Sequence, residues 1–203
     1  MAESALTICN KALGEIGSTQ FVDDIDSPAT KAEKYCAQHF NPAIDYVITE
    51  APWVACLADK EISFDVVTPD DENFTYRYTF PSDPYCVKPL YIIDNPDSPF
   101  VVQDRYLFCN VQYNGKITLK YSKRITTYDN CLPKMQRLMV LKLAEFLAIP
   151  MAEDRKAAFF LSQKYDMLLP RAIGENEPLL YTLGMGFFLK ERIPDEEGES
   201  WLD

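Results

Sequence analysis

Apolar positions recur every three or four residues at both ends of this chain and alternate with polar ones in its middle. Ala5, Ile8, Cys9, Ala12, Leu13 and Ile16 form one stripe, which predicts a helix from Ser4 to Ile16. Ser4 supplies a capping hydroxyl and Gly17 a stop. A polar link holding Asp23, Asp24 and Asp26 follows. The next stripe is Ala32, Tyr35, Cys36, Phe40, Ala43, Ile44, Val47 and Ile48. It predicts a helix opened by Ser27-Pro28 and closed before Pro52. Pro42 lies inside it, and an interior proline costs roughly 3 kcal/mol unless the helix bends or splits. A bent helix, or two short ones, is the expectation.

The middle third reads as strand. Phe74 to Phe80 alternates, and β-branched or aromatic runs occupy Tyr91 to Ile93, Phe100 to Phe108 and Lys116 to Tyr121. Asn114-Gly115, between the last two runs, is a two-residue hairpin signal because both positions tolerate positive φ. Pro81, Pro84, Pro89, Pro96 and Pro99 mark rigid connections and sheet edges. Helical periodicity returns after Leu132-Pro133 with Met135, Leu138, Met139, Lys142, Phe146, Leu147 and Ile149, and Pro150 is read as its end. A fourth stripe, Ala157, Ala158, Leu161, Tyr165, Leu168 and Leu169, predicts a helix from Ala152 to Leu169, packed antiparallel on the third. From Gly174 onward no packed element is read. The predicted fold class is α+β: an antiparallel four-helix bundle (residues 1–60 and 128–173) with an inserted small antiparallel β unit (61–127) and an extended C-terminal arm (174–203).

Composition narrows the function classes. The chain has 203 residues, 47% hydrophobic and 25% charged, an ordinary globular balance. Its net charge is −11, of which residues 172–203 supply −6 through eight acids and two bases. Gripping DNA normally needs a basic patch, so a DNA-gripping protein is not expected. The N-terminus shows no secretory pattern, and no eighteen-residue apolar run predicts a membrane span. Cys9, Cys36, Cys56, Cys86, Cys109 and Cys131 lie 20 to 30 residues apart without a CxxC pair. They read as free thiols of a chain made in a reducing cytoplasm.

Candidate chemistry is sparse. His39, the lone histidine, sits on the second helical stripe and reads as structural. There is no phosphate-loop, dinucleotide-loop, HExxH or GxSxG motif, so no cofactor, metal or catalytic residue is assigned. Two acidic clusters, Asp23/Asp24/Asp26 and Asp70/Asp71/Glu72, read as solvated or capping groups. They leave open a carboxylate hydrolase, which needs two converging acids about 5 to 9.5 Å apart. The many aromatics of the β unit, Tyr76, Tyr78, Phe80 and Tyr106 among them, read as sheet core or protein interface. The run Leu183 to Leu189 is apolar with two glycines and too short to span a membrane. It either folds back on its own domain or docks as an arm into a partner.

Four segments together resemble one family. They are Ala5 to Gly17 (ALTICNKALGEIG); Ala32 to Asp45 leading into Ala51-Pro52-Trp53; Tyr78 to Tyr85 (YTFPSDPY); and the paired-helix region 132–171. These segments, spanning most of residues 5–171, are similar to the head-to-tail adaptor (connector) proteins of short-tailed bacteriophages, the tail tubular protein A type. The resemblance implies a structural, non-enzymatic virion protein of the tail or neck, made in the bacterial cytoplasm. It implies a ring, usually of twelve copies, beneath the phage portal protein and above the tail tube or nozzle protein. DNA would pass through its lumen without sequence-specific binding, and no membrane is involved. On this reading the candidate portal contacts are Leu183, Met185, Phe187 and Phe188, with Trp201 as an end anchor. Another tail-ring or nozzle component, and the carboxylate hydrolase acting on cell-wall glycan, are the alternatives.

Overall fold

A computed structural model describes residues 4–67 and 73–185. Among the described residues there are four helices: α1 (Ala5–Glu15), α2 (Lys31–Glu50), α3 (Pro133–Ala152) and α4 (Arg155–Thr182). Six strands lie between α2 and α3: β1 (Leu57–Val67), β2 (Tyr76–Thr79), β3 (Cys86–Ile92), β4 (Phe100–Gln103), β5 (Tyr106–Cys109) and β6 (Lys116–Lys123).

The first cap forms as expected, with Ser4 Oγ accepting the Thr7 N–H at 3.1 Å and Gly17 at φ +72°. The second helix starts later than Ser27-Pro28. Thr30 caps it, and Glu33 closes a capping box by accepting the Thr30 N–H at 2.8 Å and the Ala29 N–H at 2.9 Å. These two bonds, with a longer one from Asp23, hold the Glu33 carboxyl at a pKa of about 2. Because folding favours the ionised form, this contribution is complete above the unfolded value near about 4.3 and is lost as pH falls toward 2. Glu33→Gln is therefore expected to be less stable than wild type at neutral pH, with the gap narrowing between about pH 4.3 and 2. Urea titrations across that window check it, and a gap independent of pH would refute it.

Prolines do not end these helices. Pro42, Pro150, Pro170 and Pro178 all lie inside helices that run through them. Pro42, Pro170 and Pro178 are exposed, and so are Gln38, Asp166 and Gly174, whose carbonyls lose their partners. Water can take up those carbonyls, which removes much of the penalty. Thus α2 is a single helix, neither split nor interrupted, and α4 continues past Gly174, where an arm was expected to begin.

A four-helix bundle is not what forms. The helix α3 packs against α1, α2 and α4, whereas α4 lies along α3 and reaches the 3₁₀ turn Val54–Cys56. Every residue from Leu138 to Ala144 is buried, so α3 is wrapped on all sides instead of contributing one stripe to a shared axis. Its link to α4 is two residues long. Glu153 adopts φ +53° and donates to the carbonyls of Ala148 and Ile149, and Asp154 Oδ1 then caps α4 through the Lys156 and Ala157 N–H groups. So tight a link makes the two helices antiparallel neighbours.

The β part is larger than a small insert: one curled, antiparallel six-stranded sheet in the order β3-β6-β1-β2-β5-β4. β1 makes this possible, because Leu57–Ser63 pair with β6 while the stretch from Phe64 onward pairs with β2. A register shift between Phe64 and Val66 marks the bend. The run 100–108 is two strands, turned at Asp104 (φ +55°). Asn114-Gly115 has the expected positive φ values, +52° and +83°, yet it closes only the bridge Tyr113–Lys116. The strands on either side of it pair elsewhere. The sheet encloses its own core of Tyr78, Phe80, Leu107, Ile117, Leu119 and Tyr121, separate from the helical core around Ile44, Trp53, Leu138 and Leu147.

Candidate functional site

Of the expected partner-binding residues, two are described. Leu183 caps α4 and is 54% exposed. Met185 is 3% exposed. The Gly184 N–H bonds to Tyr181 O and the Met185 N–H to Leu180 O, with Gly184 at φ +71°. These are the two bonds of a Schellman cap, whose apolar pair, Leu180 and Met185, is buried. Met185 is thus a cap residue. Phe187, Phe188 and Trp201 lie outside the described residues, as does the acidic cluster Asp70/Asp71/Glu72.

The end of α4 is anchored. Asn176, buried, donates to Pro52 O at 3.1 Å and accepts the Val54 N–H at 3.0 Å. Removing residues from 175 onward would strip this anchor, so a truncation meant to spare the fold must begin after Met185.

Sequence periodicity placed Ala157, Leu161 and Tyr165 on the packed side of α4, and Leu161 and Tyr165 are buried. Its opposite side was not singled out. Phe159 is 61% exposed, Phe160 60% and Met167 73%. Lys156, Phe160, Lys164, Met167 and Arg171 follow one another at helical spacings of four, four, three and four, all exposed. Phe159 and Phe160 lie outside the stripe Ala157, Ala158, Leu161, Tyr165 that the periodicity picks out.

A second uncovered surface lies on the sheet. β3 and β4 are its edges. β3 carries Pro89 and two register shifts, which blunt it, whereas β4 has neither and exposes Val101 and Val102.

Polar clusters are committed to structure. Lys142, buried, sets its ammonium 4.1 Å from the Tyr46 ring centre, 4.2 Å from that of Tyr165 and 2.8 Å from Glu145 Oε2. Aromatic faces replace part of its hydration and tie α2, α3 and α4 together. Burial pushes the Tyr165 phenol up, with the Glu50 carboxylate adding to it. His39 stacks on Tyr35 and meets Phe146 edge-on, and burial lowers its pKa. Asp24 Oδ1 accepts the N–H groups of Asp26 and Ser27, a turn role. All six cysteines are buried and free. Burial raises Cys86 to about 12 and Cys131 to about 11, so neither is a nucleophile near neutrality. Among the described residues, no group of three or more His, Cys, Asp or Glu side chains converges as a metal site. No described helix is long and apolar enough to cross a membrane.

The junction of helices and sheet holds a cleft of about 410 Å³ lined by Ser82, Tyr85, Arg124, Thr127 and Asn130. Its guanidinium is already occupied. Arg124 pairs with Asp45 through two nitrogens and lies 4.3 Å from the Tyr85 ring centre, and Arg105 lies 4.2 Å from the same ring. Arg105 in turn donates to Cys86 O and Pro81 O. The Arg124 side chain in the cleft is thus committed to the contact between α2 and the sheet.

No protein-family model and no curated protein matches this chain. Among the described residues, the outer face of α4 and the β4 edge are uncovered apolar surfaces.

Proposed function

We propose that the chain is a structural virion protein that forms a ring-shaped head-to-tail adaptor, joining a phage portal to the tail and letting DNA pass through its lumen. The observation that carries this reading is the pair of unlike open surfaces, the outer face of α4 and the β4 edge. A ring needs a heterologous contact, in which one patch of each copy meets a different patch of the next. A chain with two identical faces would close as a dimer instead. Exposed phenylalanines on a rigid helix and unpaired backbone on a sheet edge are two such patches, and each favours burial. The segment resemblance over residues 5–171 supports the same reading, and it supplies the portal and the tail as partners. Repeated weak contacts around a ring would multiply single-site affinity.

Native mass measurement of the full chain, alone and with the portal protein, tests the proposal. The expected result is a chain that is largely monomeric alone and forms a closed multimer on the portal. A chain that stays monomeric in the portal's presence would overturn it.

A further inference from the structure

Phe21 and Met167 are the two most exposed large apolar side chains among the described residues, at 74% and 73%. They belong to patches of opposite charge. Met167 lies on the outer strip of α4 with Lys156, Phe160, Lys164 and Arg171. Residues 155–171 hold four bases and one acid, although the chain as a whole is at −11. Lys156 and Arg171 form no ion pair among the described residues, and the Lys164 contact with Glu15 is loose at 3.8 Å.

Phe21 lies in the connection from α1 to α2, where it is followed by Val22, Asp23, Asp24, Ile25 and Asp26. Asn10 of α1 clamps this loop, accepting the Val22 N–H at 2.8 Å and donating to Val22 O at 2.9 Å. Val22 is buried, and its neighbours Phe21 and Asp23 are left outside. Asp24 Oδ1 fixes the far end as a turn by accepting from Asp26 and Ser27. The three aspartates are exposed and form no ion pair among the described residues. The acids of β1, in contrast, are answered within the chain: Asp59 by Lys120, Glu61 by Lys116 and Asp65 by Arg77. Lys11 lines the groove beside Phe21, which leaves the loop patch at three acids to one base.

We infer that residues 21–26 of one copy dock on the outer strip of α4 of a second copy. Phe21 packs on Phe160 and Met167, and the aspartates face Lys156 and Lys164. The lengths agree: Lys156 to Lys164 spans about 12 Å along the helix, and residues 21–26 extend to about 18 Å at most. In their own chain both patches stay exposed, with the loop held on α1, so the contact is between copies. Both patches are rigid before they meet, so docking orders little chain. Complementary charge selects this pairing on a surface that otherwise repels its copies. The inference rests on the ring proposal only for what the contact builds; there it names what the outer face of α4 meets on the next copy. Screening over about 8 Å at physiological salt keeps one such contact weak, as a chain largely monomeric on its own requires.

Sedimentation equilibrium of the full chain at about 0.01 M salt, where charges act over about 30 Å, reads the contact directly. The mass of wild type should rise with concentration and fall toward the monomer as salt is added. Lys156→Ala/Phe160→Ser/Lys164→Ala removes the strip, and Phe21→Ser/Asp23→Ser/Asp26→Ser removes the loop, neither adding a charge. Each variant should be monomeric alone, with far-ultraviolet circular dichroism and the urea midpoint showing that the fold is retained. An equimolar mixture of the two should give a one-to-one dimer and nothing larger, because each supplies the patch that the other lacks. The inference is overturned by a wild type that is monomeric at every concentration, by association that survives in either variant alone, or by a mixture that stays monomeric. A wild type that stops at the dimer, with the mixture still pairing, would keep this contact and overturn the ring instead.

Discussion

Trp53→Ala should destabilise the protein by about 3 to 5 kcal/mol, a large share of the about 5 to 15 kcal/mol that a domain has. Trp53 has no exposed surface, and its Nε1 donates to Val47 O at 2.7 Å. It sits in the short connection where the end of α2 meets the sheet. Its neighbours Pro52 and Val54 are the residues that Asn176 of α4 holds. Removing the indole would open a cavity at the point where α2, β1 and α4 converge, and the helical core would have little room to collapse into it. Urea unfolding followed by circular dichroism measures the loss. Trp53→Phe, which keeps most of the volume and loses the hydrogen bond, should cost roughly 1 to 2 kcal/mol. Equal losses for the two variants would show that packing is not the main term.

Phe159→Asp/Phe160→Asp should have the opposite profile. Both rings are exposed on α4, so the urea midpoint should move little, within about 0.5 kcal/mol for surface positions. Assembly should suffer instead. If the outer face of α4 is one of the two ring patches, burying two carboxylates there should weaken association on the portal by over a hundredfold, about 3 kcal/mol. Native mass measurement checks it as a loss of the multimer at concentrations that saturate wild type. A double variant that assembles as well as wild type would exclude this face from the interface, and the patch pair would have to be sought elsewhere.

These two residue sets differ in how legible they were. The Pro52-Trp53 pair stands out in the sequence, and so does the stripe Ala43, Ile44, Val47, Ile48 leading into it. Ser4, Gly17 and the prolyl start at Pro133 also act as local chemistry says they should, because a cap depends on residues three or four positions away. Thr30 and Glu33 carry an equally local signal, a capping box, and the neighbouring Ser27-Pro28 pair masked it. The outer face of α4 was obscured for another reason. The fourth stripe predicts a helix only as far as Leu169 and no packed element is read from Gly174 onward, which puts the buried Asn176 and Leu180 in an arm. In the folded protein Gly174 is helical, and the true stop is Gly184, ten residues on.

Sheet size was the larger correction. Asn114-Gly115 turns the chain as its residue types require, but a turn fixes only the two positions around it. Which strands become neighbours depends on β1, whose two halves serve different partners, and nothing local to Leu57–Val67 announces that. The four interior prolines show the same division. Whether a proline breaks a helix depends on whether the carbonyl it frees meets water, and that is settled by which side of the helix the rest of the molecule covers.

Local spacing and composition set where α1 and α3 begin, which faces of α1 and α2 are apolar, that the middle is antiparallel strand, and that acidity concentrates at the C-terminal end. Each of these follows from spacing or composition within a few residues. Only the tertiary structure decided that α3 is wrapped by three helices, that six strands make one curled sheet, and that Met185 is capped while Phe159 and Phe160 are left outside. Those outcomes depend on contacts between residues far apart in the chain, where burial is decided by what else is present to cover a surface.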